Sequence, residues 1–210
     1  MAKKKQLPEE VAHSEAYVKD FFDMAVPSAI RFNVDHFICG DSYRSVWAIR
    51  EYPPQTSDQA LLARFGDKEA VTVHLYTRLV DGVEQRKILQ NASRKNKLLA
   101  NSNDLEDSVT GEGNLEDVVE LLGELRKNRE PLLHCAVFIE LSAGNLDKLR
   151  ELQSDVSMEM TREKISVDHL SMRQKEGFIA CMPCGYNIFG TQYERVLPAS
   201  AVANLFPFNY

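Results

Sequence analysis

Cys181-Met182-Pro183-Cys184 is the stretch best suited to chemistry. Two cysteines held two residues apart can exchange a disulfide or supply half of a zinc site. A thioredoxin-type pair also needs a helix that begins at the first cysteine and lowers its pKa. Gly185 and Asn187 follow instead, with no helical pattern. A zinc site needs a second ligand pair, and Cys39, Cys135 and His169 are scattered singly along the chain. Cys181 and Cys184 are therefore the redox or metal candidates, set against the plainer reading of two half-buried cysteines at a strand end.

Other chemistries lack their residues. None of the ten glycines is followed by lysine, so no phosphate cradle of the Walker type can form. Gly185 to Gly190 with Thr191 has the glycine spacing but no lysine, and Gly111 and Gly113 lack the third glycine of a dinucleotide fingerprint. The five histidines, His13, His36, His74, His134 and His169, form no His-x-His pair and no H-E-x-x-H. There is no G-x-S-x-G elbow for serine catalysis. The acidic stretch from Asn101 to Gly113 fails the calcium-loop spacing. On these grounds no catalytic residue and no cofactor is expected in this chain.

These residues have to be carried by elements, and the periodicities are clear enough to place them. A polar tail with Lys3, Lys4 and Lys5 precedes Ser14, which can cap a short helix bearing Val18, Phe21, Phe22 and Ala25. Phe37 to Cys39, Gly40-Asp41 and Tyr43 to Tyr52 read as a hairpin with a type II′ turn. Ser57 can cap a helix with Leu61, Leu62 and Phe65. Val71 to Val80 alternates as a half-buried strand, with His74 and Tyr76 on the less apolar side. A helix is expected from about Val83 to Asn101, a loop over 101–113, and a second helix capped by Asn114. Leu132 to Leu141 is the most apolar strand and should be central. Asn145 caps a helix with Leu146, Leu149, Leu152, Val156 and Met160 on one stripe. Ile165 to Met172 and Gly177 to Met182 read as two further strands.

The order of elements implies an α+β fold: a ferredoxin-like split β-α-β unit, mixed or antiparallel, with its helices on one face and a helical insertion. The expected division is a basic tail (1–20), an α/β interaction domain (21–185) and an aromatic exit segment (186–210). An open sheet face with Trp47, Tyr76 and Phe138 could stack single-stranded nucleic acid, but the basic-aromatic strand motif of such sheets is absent.

Composition narrows the classes further. Apolar residues make up 44% and charged residues 27%, which is globular and excludes bulk disorder. The longest apolar run, Cys135 to Leu141, is broken by Glu140 and far short of the roughly 20 residues a spanning helix needs. No signal-like apolar segment opens the chain, and four cysteines are too few for a disulfide scaffold. The net charge of −6 argues against a dedicated nucleic-acid binder. The imbalance is local: 101–131 holds nine acids and three bases, leaving 22 of each sign elsewhere. Arg86, Lys87, Arg94, Lys95 and Lys97 lie just upstream, so a basic stretch adjoins an acidic one. That pattern suits a solvated helical surface or a docking surface.

Several longer pieces occur in a telling order. They are Phe21 to Ser28, Asp35 to Asp41, Val46 to Pro53, Asn128 to His134 and Tyr193 to Ser200. Together they resemble the N-terminal region of the large conjugation ATPases of Gram-positive mobile elements, the VirB-class, CagE/TrbE-like energy subunits of type IV secretion systems. The resemblance spans about residues 21–210 and contains no catalytic signature. In that family such a region precedes a motor domain with the Walker motifs, which is missing here, so ATP is implied only for that motor. The resemblance implies a non-catalytic docking module at the inner face of the cell membrane. Its partners would be other secretion components and its own motor, with possible self-association and no direct nucleic acid. Tyr193, Arg195, Phe206 and Phe208 of the exit segment are the interface residues expected on this reading.

Overall fold

The computed structural model describes residues 29–53, 68–101, 130–183 and 185–205, together with Leu62, Phe65, Val119, Gly123 and Lys127. Expectations for the 1–20 tail, the Ser14, Ser57 and Asn114 caps, the 101–113 loop, Cys184, Phe206 and Phe208 fall outside these residues. Seven strands are described: β1 (Ile30–Phe32), β2 (Phe37–Cys39), β3 (Ser42–Glu51), β4 (Val71–Leu79), β5 (Leu132–Ala143), β6 (Ser166–Asp168) and β7 (Arg195–Pro198). The described helices are α1 (Gly82–Ala100), α2 (Leu146–Arg162), α3 (Gln174–Cys181) and α4 (Ala199–Ala203). The protein is of the α+β class.

The apolar run of β5 makes it the centre of the sheet, because a strand buried on both faces must be apolar at every position. β4 lies along one edge of β5, from Val71 opposite Leu141 to Leu79 opposite Leu133. The other edge is shared: β3 pairs with the second half of β5 and β7 with residues 132–135. β3 in turn carries β2 and β6 on its far edge. Every pairing is antiparallel. The strands β3, β4, β5 and β6 lie in space as β6-β3-β5-β4, the strand order of a ferredoxin-like sheet.

Local chemistry explains the junctions. Gly40 takes a φ of +58° in the turn between β2 and β3, where the type II′ geometry needs a residue without Cβ. The Asn145 side chain accepts a hydrogen bond from the Lys148 amide and starts α2 as expected. α1 is capped by Asp81, whose carboxylate accepts from the amides of Val83 and Glu84, each at 2.8 Å.

The sheet is covered on both faces. On one face Trp47, Ile49, Val137, Ile139 and Leu141 pack against Leu149, Val156 and Met160 of α2, with Leu62, Phe65, Val202 and Leu205 completing the cluster. On the other face Val46, Ala48, Ala136 and Phe138 pack against Ala180 and Cys181 of α3, together with Leu170, Phe189 and Tyr193. The expectation of helices on a single face therefore holds for α2 and fails for α3.

Two further elements differ from the sequence reading. Gly177 to Cys181 belong to a helix, not a strand, and the strand expected over 165–172 is confined to Ser166–Asp168. The chain leaves β6 through Leu170 and Met172, both with positive φ, and so turns under the sheet. Residues 186–205 pack onto the fold, since Phe189 and Tyr193 enter the second core cluster and β7 joins β5.

Candidate functional site

One side chain completes the sheet where no strand does. β2 pairs with residues 42–44 of β3 and β6 with residues 48–51, which leaves the main chain of Val46 facing a gap. Gln174 fills it: Val46 N–H donates to Oε1 at 2.9 Å, and Nε2 donates back to Val46 C=O at 3.0 Å. The same amide reaches His169 C=O at 2.8 Å. A buried glutamine is stable there because its donors and acceptor are satisfied. This bond pair fixes the start of α3, so the far end of the helix falls over β4 and β5. Gly177 permits the approach, since a Cβ there would sit 2.9 Å from that of Val46.

At that far end three chemically capable side chains converge. His74 from β4, Glu140 from β5 and Cys181 from the last turn of α3 bring their ligand atoms within 4.8 Å of one another. His74 Nε2 lies 3.5 Å from Glu140 Oε2, and Arg44 Nη1 donates to Glu140 Oε1 at 2.9 Å. Burial raises the Glu140 carboxyl, but His74 and Arg44 outweigh it and hold the group below its ordinary range. Burial, reinforced by the Glu140 charge, pushes the Cys181 thiol far up. Tyr76 is drawn into the same corner, its hydroxyl donating to Ala180 C=O.

This placement bears on the cysteine chemistry. Cys181 ends a helix instead of starting one, so the dipole opposes a thiolate, and burial opposes it further. The local sequence offers no sign of His74 and Glu140 as neighbours of Cys181; only the antiparallel register of β4 on β5 brings them together.

A second polar cluster lies along β4 and β5. His134 Nε2 and Glu84 Oε1 are 2.9 Å apart, and His134 Nδ1 lies 3.5 Å from Glu194 Oε2. Arg78 reaches both glutamates at 3.6 Å. The cluster ties α1 and the segment before β7 to the sheet. A third polar contact, Tyr193 Oη donating to Asp168 Oδ2 at 2.7 Å, joins that segment to β6.

The expected interface residues fare differently. Tyr193 is only 3% exposed and packs edge-on against Phe138 and Phe189, so it is a core residue and not a docking one. Arg195 is half-buried on β7 opposite Cys135 and donates to Glu194 C=O. The stacking platform is also closed, since Trp47 and Phe138 are buried under helices, and Trp47 lies flat on His169 at 4.3 Å.

The outside also carries an apolar strip. Ile30 and Phe32 project from one side of β1, exposed at 41% and 37%. Val34 (56%) follows them, and its carbonyl accepts from the amide of Met172 (77%), which joins the two into one strip. Phe32 is backed by Phe37 and Phe178 at ring distances of 5.6 and 5.8 Å. Sequence reasoning missed this strip because β1 is only three residues long.

Among the described residues no helix is long and apolar enough to cross a membrane. Neither a family model nor a curated protein matches the chain.

Proposed function

We propose that this chain is a non-catalytic assembly domain of a conjugative type IV secretion ATPase, docking the motor through protein contacts at the inner face of the cell membrane. The observation that carries the reading is the exposed apolar strip made by Ile30 and Phe32 of β1, Val34 just after it and Met172 from the turn after β6. Large apolar side chains exposed together at a sheet edge are a usual mark of a surface that meets another protein. The resemblance of the sequence to the region preceding the motor in that family supports the same reading.

The test has two arms. The purified chain should neither bind ATP tightly nor hydrolyse it; robust hydrolysis sinks the proposal. In cells carrying the transfer apparatus, a photo-crosslinking residue at Phe32 should capture a secretion component, while one at the exposed Met158 of α2 should not. Equal capture at both positions, or none at Phe32, overturns the docking surface.

A further inference from the structure

We propose that His74, Glu140 and Cys181 form a metal site of the zinc class that fastens the end of α3 to the sheet. Zinc at about 2.0–2.3 Å from its ligands in a tetrahedron holds them roughly 3.3–3.8 Å from each other. His74 Nε2 and Glu140 Oε2 already stand at 3.5 Å. The three ligand atoms all fall within 4.8 Å, so closing the site takes side-chain adjustment and no movement of strands. The donor set is one nitrogen, one sulfur and one oxygen. Calcium and magnesium take oxygen almost exclusively, whereas zinc accepts this mixture.

One observation beyond proximity points to a ligand. His74 Nε2 is buried and has no hydrogen-bond partner. At 3.5 Å Glu140 is too distant to make a good one, and a buried polar nitrogen left so is costly. The turn after Cys181 is also built for close quarters. Gly185 N–H donates to Met182 C=O at 2.7 Å, and a Cβ on Gly185 would lie 2.3 Å from Ile179 C=O, so only glycine closes it. Tyr76 holds Ala180 from below and keeps Cys181 over β4.

Arg44 fits this arrangement as a positioning residue. It occupies Glu140 Oε1 and leaves Oε2 turned toward His74, as hydrogen bonds to the outer atoms of metal ligands commonly do. Among the described residues three protein ligands converge, which leaves one tetrahedral position. The inference does not depend on the docking role.

The experiment uses the whole chain without a histidine tag, freed of metal by a chelator and titrated with Co2+ and then Zn2+. One equivalent of Co2+ should give tetrahedral visible bands and a near-ultraviolet thiolate-to-cobalt band, both displaced by Zn2+. Cys181→Ser and His74→Gln should abolish the thiolate band or the tetrahedral spectrum, with Trp47 fluorescence confirming the fold. Arg44→Gln should weaken binding about tenfold, and Cys39→Ser should change nothing. X-ray absorption at the zinc edge of the unaltered chain should show one sulfur among nitrogen and oxygen ligands, a readout that needs no variant to fold. Failure to bind one equivalent, a thiolate band that survives Cys181→Ser, or an edge spectrum without sulfur overturns the site.

Discussion

Replacing Gln174 by leucine removes the amide that stands in for a strand beside Val46. Two buried main-chain groups, Val46 N–H and C=O, lose their partners at 2.9 and 3.0 Å. Each orphaned group costs about 1–3 kcal/mol, so the gross loss is roughly 2–6 kcal/mol. Leucine returns about a third of this by adding apolar burial, on the order of 1–2 kcal/mol. A net loss of about 1–4 kcal/mol is a large share of the roughly 5–15 kcal/mol that holds a typical protein folded. Urea unfolding followed through Trp47 is well placed to see it, because Trp47 is the single tryptophan and adjoins Val46. The midpoint should fall by roughly 0.5–1.5 M, taking a slope of roughly 2–3 kcal/mol per molar. Gln153→Leu, which loses only a contact to Arg150, should stay within about 0.5 kcal/mol of the parent. Gln174→Glu sharpens the test. A carboxylate there would face the Val46 carbonyl while buried, so its folded pKa must rise above its unfolded value near 4.3. The folded state then holds the proton more tightly, and this variant alone should gain stability as pH falls from 7 toward 5. If Gln174→Leu costs no more than Gln153→Leu, the gap in the sheet is satisfied some other way and the reasoning fails.

Other expectations are simpler to check. Burial first, and only slightly offset by Tyr52, pushes the Cys135 thiol up to about 11; Cys135 should resist iodoacetamide at pH 8 in the native state and react on unfolding, while half-exposed Cys39 reacts readily. Gly185→Ala should destabilise by about 1–3 kcal/mol, because its Cβ would meet backbone oxygens at 2.3 and 2.8 Å; a neutral result in thermal unfolding would refute the close approach. Asp35 is raised somewhat by burial, but His36 and Arg150 outweigh that and lower it below 3.8. Its stabilising effect should be complete above about pH 5 and fade as pH drops further, and Arg150→Gln should flatten that acid limb. Tyr193→Phe removes the bond to Asp168 and should cost on the order of 1 kcal/mol, with the fold retained by circular dichroism.

The sequence made the framework visible wherever an element announced itself locally. The alternation of Val71 to Leu79, the apolar run of β5, the Gly40 turn and the Asn145 cap all follow from neighbours in the chain. Residues 177–182 misled because a short apolar run suits a buried strand and a buried helix equally. What decides for the helix is Gln174 meeting Val46 and Gly177 fitting against it, and these contacts bridge more than a hundred residues of chain. β7 was hidden for a similar reason: four residues ending in proline gain a partner only when β5 is already in place. The aromatic residues 186–193 looked like an exit because their glycines and polar neighbours suggest a loop, yet Phe189 and Tyr193 fill the second face. The His74, Glu140 and Cys181 cluster was illegible, since its members come from three elements and no spacing along the chain connects them.

The way β7 is attached sets how the fold would answer a mechanical load. A pull on the chain beyond Leu205 would first lift Val202 and Leu205 from the core, then peel β7 from β5 pair by pair, starting at Pro198. Unzipping should stall where Phe189 and Tyr193 are wedged against Phe138, with Tyr193 tethered to Asp168. Tension could thus lengthen the polypeptide by a short, reversible step while leaving the four interleaved strands intact.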